Sequence, residues 1–163
     1  MAELTPLDEK LAEVLGLAQA AQQATTHVAG MEDAEDFKAE LQKMREQAAE
    51  TERRTDAHID TLEGRKTAIR DKGRETKAEA VEMMKTYLEG EEEALDGFEF
   101  LAMAEAGELC HWEIVQAIAE LAKDMEAKAL ADWAVEVQRG HVEHVRTAYL
   151  ALAAEEAKEM AAA

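Results

Sequence analysis

The feature that most constrains this chain is the spacing of its first apolar residues. Leu4, Leu7, Leu11, Val14, Ala18, Ala21, Thr25 and Val28 follow one another in alternating steps of three and four. That is the period of one helix face, and it excludes a strand. Thr5, Pro6 and Asp8 supply a cap, a proline suited to the first turn and an acid at the capping-box position, and Gly30 predicts the stop.

The next segment, "MEDAEDF", reads as a tight connection in which Asp33 caps and Asp36 follows three residues later. A second helix carries Phe37, Leu41, Met44, Ala48, Thr55, Ile59 and Leu62 on one face. So short a connection predicts an antiparallel hairpin. Residues 64–77, "GRKTAIRDKGRETK", are basic, contain glycine and are weakly periodic, which predicts a crossover. Thr76 and Glu79 form a second capping-box pattern before "AVEMMKTYLEG", predicting a short helix that Gly90 ends or bends.

Two further long helices are expected over 91–122 and 125–158, turning near "AKD" at 122–124. No stretch carries a strand signal. The expected fold is therefore all-α: one domain over 1–163, a four-helix bundle of two antiparallel hairpins, 5–66 and 91–158, joined by a crossover, 67–90, that contains a short helix.

Charge and cysteine usage narrow the function. A formal net charge of -19 repels phosphate backbones and anionic headgroups, so neither nucleic acid nor a membrane surface is an expected partner. Cys110 is the single cysteine, which excludes an intramolecular disulfide and points to a reducing compartment. The start "MAELTPLDEK" has no basic-then-apolar leader pattern, and a cytoplasmic location is expected. A glycine-rich phosphate loop, a nucleophile elbow and a Cys-x-x-Cys pair are all missing, which argues against nucleotide and ordinary hydrolase chemistry.

Polar residues interrupt the stripes of the last two helices. If these helices are antiparallel about residue 124, positions whose numbers sum to roughly 248 lie at one height. That pairs Glu105 with His144, Glu108 with His141, and His111 with Gln138. Gly107 and Gly140 fall at the same level, which predicts close helix approach or space kept for something small. Buried carboxylates and imidazoles are costly unless they are paired or bind a cation. Glu108 and His111, three residues apart on one face, suit a metal ion held between helices, and oxygen and nitrogen donors together fit iron, manganese or zinc. A hydrogen-bonded network without metal is the structural alternative.

Other residues read as structural. Trp112 and Trp133 stand at matched heights and are expected to pack as core aromatics, and Met44, Met83, Met84 and Met103 to fill gaps. Cys110 is expected to be a small buried or half-buried residue. "EGEEEALDG", residues 89–97, reads as a solvated acidic helix start.

The order of hairpin, crossover and hairpin, with "AEAGELCHWEIVQAIAELA" on the third long helix and "ADWAVEVQRGHVEHV" on the last, resembles the ferritin-like superfamily, and within it the stress-associated YciF-type branch. Motif-level similarity is confined to residues 100–145. The resemblance implies a dinuclear iron or manganese centre that reacts with oxygen or peroxide in oxidative-stress protection, and a homodimer or larger assembly. In that pattern "QRGH" stands where the last Glu-x-x-His is expected, so His141 matches and Gln138 replaces a glutamate. Glu108 matches the third-helix glutamate approximately. On the second helix the available donors are Glu52, Asp56 and His58, with no Glu-x-x-His, and the first-helix stripe offers Val14, Ala18 and Ala21. The full centre cannot be assembled from these positions. The expected site is a partial one built from Glu108, His111, His141 and His144, completed by Glu105 or Glu52. The alternative is a metal-free bundle acting through oligomerisation or partner contact.

Overall fold

A computed structural model describes residues 3–163. All of its regular elements are helical: α1 (Pro6–Ala29), α2 (Lys38–Asp60), α3 (Lys66–Tyr87), α4 (Ala94–Ala122) and α5 (Met125–Ala162), with a 3-10 turn over Glu35–Phe37 before α2. The first helix starts as its sequence predicts. The Thr5 hydroxyl accepts from the Asp8 backbone N–H, and the Asp8 carboxylate accepts from the Thr5 N–H at 2.8 Å.

The expected cap of α2 is not formed. Asp33 sits at φ 61 and the chain tightens through the 3-10 turn instead, so α2 begins behind Phe37 with no side-chain cap. At the far end of the molecule Lys123 takes the left-handed conformation and the Asp124 carboxylate accepts from Ala127 N–H at 2.9 Å, which sets the α4–α5 turn where the sequence placed it.

Four helices, α1, α2, α5 and α4, stand in a ring in which each packs on the next. Their core divides into an end around Leu41, Met44, Phe98 and Val145 and an end around Leu11, Trp112, Val115 and Ala131. The two hairpins α1–α2 and α4–α5 are present, and the segment between them is a crossover, but its helix is not short. α3 runs for 22 residues along α1. It lies parallel to α1, since Ile69 and Gly73 meet Ala12 and Leu15 while Met84 joins the cluster of Ala24 and Val28.

Two glycines explain why α3 escaped the apolar pattern. A Cβ on Gly16 would lie 2.4 Å from the Gly73 carbonyl oxygen, and one on Gly73 would lie 3.2 Å from that of Ala12. The helices therefore meet backbone to backbone. Only Ile69, Gly73 and Met84 of α3 are buried, so the contact leaves little hydrophobic trace. Thr76, read as a cap, lies inside this helix with its hydroxyl on the Lys72 carbonyl. With α3 added, α1 is enclosed on more than the one expected face, and Ala12, Leu15, Gly16 and Ala24 are buried beside the original stripe.

The loops at one end are tied together: Glu32 N–H donates to Glu92 O and Ala94 N–H to Glu32 O, both at 2.9 Å. Among the described residues no helix is long and apolar enough to cross a membrane.

Candidate functional site

The polar rungs of α4 and α5 meet, but in a different register from the equal-height expectation. Gln138 donates from Nε2 to Glu105 Oε2 at 3.0 Å, and His141 Nδ1 lies 3.0 Å from the same oxygen. Equal rise fixes height but not the rotation of each helix about its axis, and here the stripe position of Glu105 falls between Gln138 and His141. On its other side the imidazole Nε2 meets Gln47 Oε1 of α2 at 2.9 Å. All three α4 and α5 residues are at least 98% buried. A carboxylate and an imidazole lone pair cannot face each other at this distance, so a proton lies between Nδ1 and Oε2. Glu105, Gln138, His141 and Gln47 thus form a closed chain through the four-helix interior.

Gln47 is the member the sequence reading missed. Its signal was present: it lies one turn from both Met44 and Thr51, both buried, so a polar amide stands beside the inward face of α2.

The remaining candidates are dispersed. His111 Nδ1 lies 3.0 Å from Glu13 Oε2 of α1, within ion-pair distance but not aligned as a hydrogen bond. His144, more than a third exposed, faces Glu40 of α2 at 3.5 Å. Glu52 accepts from Gln19 and Gln22 of α1 at 2.9 and 2.6 Å. Asp56 pairs with Arg70 at 2.7 Å, and His58 faces Asp124 at the α4–α5 turn. Among the described residues no group of three or more His, Cys, Asp or Glu side chains is placed to hold a metal ion.

These positions do not fit the dinuclear centre that the resemblance implies. Between α2, α4 and α5 one imidazole and one carboxyl group, His141 and Glu105, are already joined through a proton, and the other groups that meet them there are the amides of Gln138 and Gln47. The Gln138 amide also occupies the carboxylate oxygen that faces His141.

Glu108 behaves differently from Glu105, one turn away. It is 5% exposed and lines a cleft of about 310 Å³ between α1, α3 and α4. The floor is Leu17, Ala20, Ala21 and Ala24 of α1, one wall is Ala80, Val81 and Met84 of α3, and the other is α4 from Phe100 to His111. Burial in this apolar surround, followed by the nearby charge of Glu105, holds the Glu108 carboxyl well above the usual carboxylate range. No hydrogen bond acts on it in the opposite direction.

Several structural expectations also change here. Met83 and Met103, expected as gap fillers, are 69% and 53% exposed and stand at the cleft mouth, while Met44 and Met84 are buried. Trp112 is buried, and Trp133 packs against the same core cluster while staying partly exposed beneath the Arg54 guanidinium, 4.0 Å from the ring centroid. Cys110 is exposed. A Cβ on Gly107 or Gly140 would have nothing within 4 Å. Neither glycine mediates close helix approach, though Gly107 does line the cleft.

Comparison with known proteins returns no matching family model, no matching curated sequence and no matching solved structure.

Proposed function

We propose that this bundle is a binding protein for a small molecule, and that its working site is the cleft between α1, α3 and α4. One observation carries the reading: Glu108, only 5% exposed, lines a mainly apolar cleft that it shares with Glu105 and His111. A carboxyl held against apolar surface is costly to ionise, and a ligand that pairs with it offsets that cost. Apolar pockets with a few convergent polar groups and a perturbed acid are the usual form of a ligand site, and this cleft is at the small end of their range of about 300–1,000 Å³.

Fluorescence titration with the neutral apolar dye N-phenyl-1-naphthylamine tests this. Saturable binding that Gly107→Leu weakens at least tenfold is the expected result, because Gly107 lines the cleft and a side chain there meets open space. Absence of saturable binding, or binding unaffected by the substitution, overturns it.

A second reading keeps the ferritin-like resemblance and its metal. It is supported by the buried nitrogen and oxygen donors of His141 and Glu105 and by the hairpin, crossover, hairpin order. Elemental analysis of protein purified without tag or chelator, then reloaded anaerobically with ferrous iron, tests it. Stoichiometric iron, manganese or zinc lost in His141→Ala would favour a metal protein, and none after reloading would remove the reading. A dimeric or larger assembly belongs to the same proposal and is read by light scattering.

A further inference from the structure

We propose that the cleft selects a cation: a small apolar molecule bearing one amine or ammonium group, whose positive centre pairs with the Glu108 carboxylate. The inference rests on the cleft being a ligand site and adds the charge of what it takes.

The charged side chains around the cleft decide the sign. From α4 come Glu105, Glu108 and His111; α1 contributes only apolar lining, although its Glu13 engages His111; and the α3 lining is Ala80, Val81, Met83 and Met84. No lysine or arginine lines it. An anionic ligand would enter a low-dielectric space beside two carboxyl groups with no lysine or arginine to meet it. A neutral ligand would fill the apolar volume and leave Glu108 as it is. A cation changes the balance, since an opposite charge within reach favours the ionised acid that burial disfavours. The body of the ligand would lie on the alanine floor, and Met83 and Met103, flexible thioethers at the mouth, can close over differently shaped ends. The net charge of -19 adds long-range attraction of the same sign.

Binding of the cation then displaces the Glu108 proton. At pH values where the free protein holds Glu108 protonated, affinity for a permanent cation rises with pH, by up to about tenfold per unit, and levels off once the acid is ionised in the free protein.

The test is isothermal titration of the full chain with octylamine, octanol and octanoate at neutral pH, low salt and sub-micellar concentration, each also used to displace N-phenyl-1-naphthylamine. Octylamine should bind at least tenfold more tightly than octanol, with octanoate weakest, and in buffers of different ionisation enthalpy only octylamine should show proton release. Glu108→Gln should bring octylamine down to the level of octanol and leave octanol unchanged. The wild-type series decides charge selection by itself, so a poorly folded variant does not remove the test. Equal binding of octylamine and octanol, or a preference for octanoate, overturns the inference while leaving the cleft as a ligand site. Failure of octylamine to displace the dye likewise overturns the inference, whereas absence of saturable dye binding overturns the cleft itself.

Discussion

On the side of α4 that faces α2 and α5, Glu105 is met by Gln138 and His141, and His141 in turn by Gln47. One helical turn on, toward α1 and α3, Glu108 is 5% exposed and lines a mainly apolar cleft. The flanks of α3 repeat the contrast: against α1 it is sealed at Gly16 and Gly73, and toward α4 it leaves space. Burial alone does not distinguish these regions. The difference lies in the partners: Glu105 finds them on α5, and Glu108 faces the cleft.

The sharpest way to break the closed side is Glu105→Ala. It leaves His141 and Gln138 facing a buried void, and the expected loss is about 3–5 kcal/mol, read as a shift in urea midpoint. Glu105→Gln, which keeps an acceptor, should cost less. Next comes the sealed flank of α3. Gly16→Ala places a methyl group 2.4 Å from the Gly73 carbonyl oxygen, where only backbone can yield, and the expected destabilisation is about 1–3 kcal/mol. A Gly16→Ala protein as stable as the wild type would show that α1 and α3 are not in backbone contact.

The same contrast explains what was legible in the sequence. The cap at Thr5, the stripes of α1 and α2 and the α4–α5 turn each depend on residues within a few positions of one another, and the local sequence shows them. α3 was hidden because its contact is made by glycines, whose role is the absence of a side chain, on a helix whose other positions are mostly polar. At the site, Glu105, Glu108 and His141 stood out as polar residues within apolar stripes, and all three are buried. Which of them meet could not be read, because that depends on helix rotation, so His141 was assigned to Glu108 when it belongs to Glu105. His111 and His144 sit at the edges of their stripes, where Glu13 and Glu40 of other helices reach them. The sequence of α4 and α5 alone contains no trace of those partners.

The open side should respond to substitution with the opposite sign. Glu108→Met replaces an acid whose ionised form burial disfavours and fits the mainly apolar lining, so the ligand-free protein is expected to gain about 0.5–2 kcal/mol at neutral pH while losing the cation preference. The pH dependence follows from the direction of the shift. The folded state holds the Glu108 proton to higher pH than the unfolded chain, whose ordinary value is 4.5. Between those two values the native state binds more protons, so stability falls as pH rises, with a slope of up to about 1.4 kcal/mol per unit, and the contribution is fully present only below the unfolded value. In Glu108→Met that component of the slope should vanish. An unchanged slope in urea titrations across this range would show that Glu108 ionises freely and that the cleft is wet.

The smallest effect isolates the cleft from the closed chain most cleanly. Gly107 and Gly140 lie near the same level on facing helices, and neither would bring a Cβ within 4 Å of a neighbour. Alanine at either position should therefore stabilise the protein by about 0.5–1 kcal/mol through helix propensity, with no packing cost. Gly107 lines the cleft and Gly140 does not. If the cleft is used, Gly107→Ala should raise the melting temperature yet weaken dye binding slightly, whereas Gly140→Ala should raise the melting temperature alone. Equal effects of the two on binding would mean that the dye senses general loosening of the bundle, and the contrast between the two sides of α4 would then have no bearing on binding.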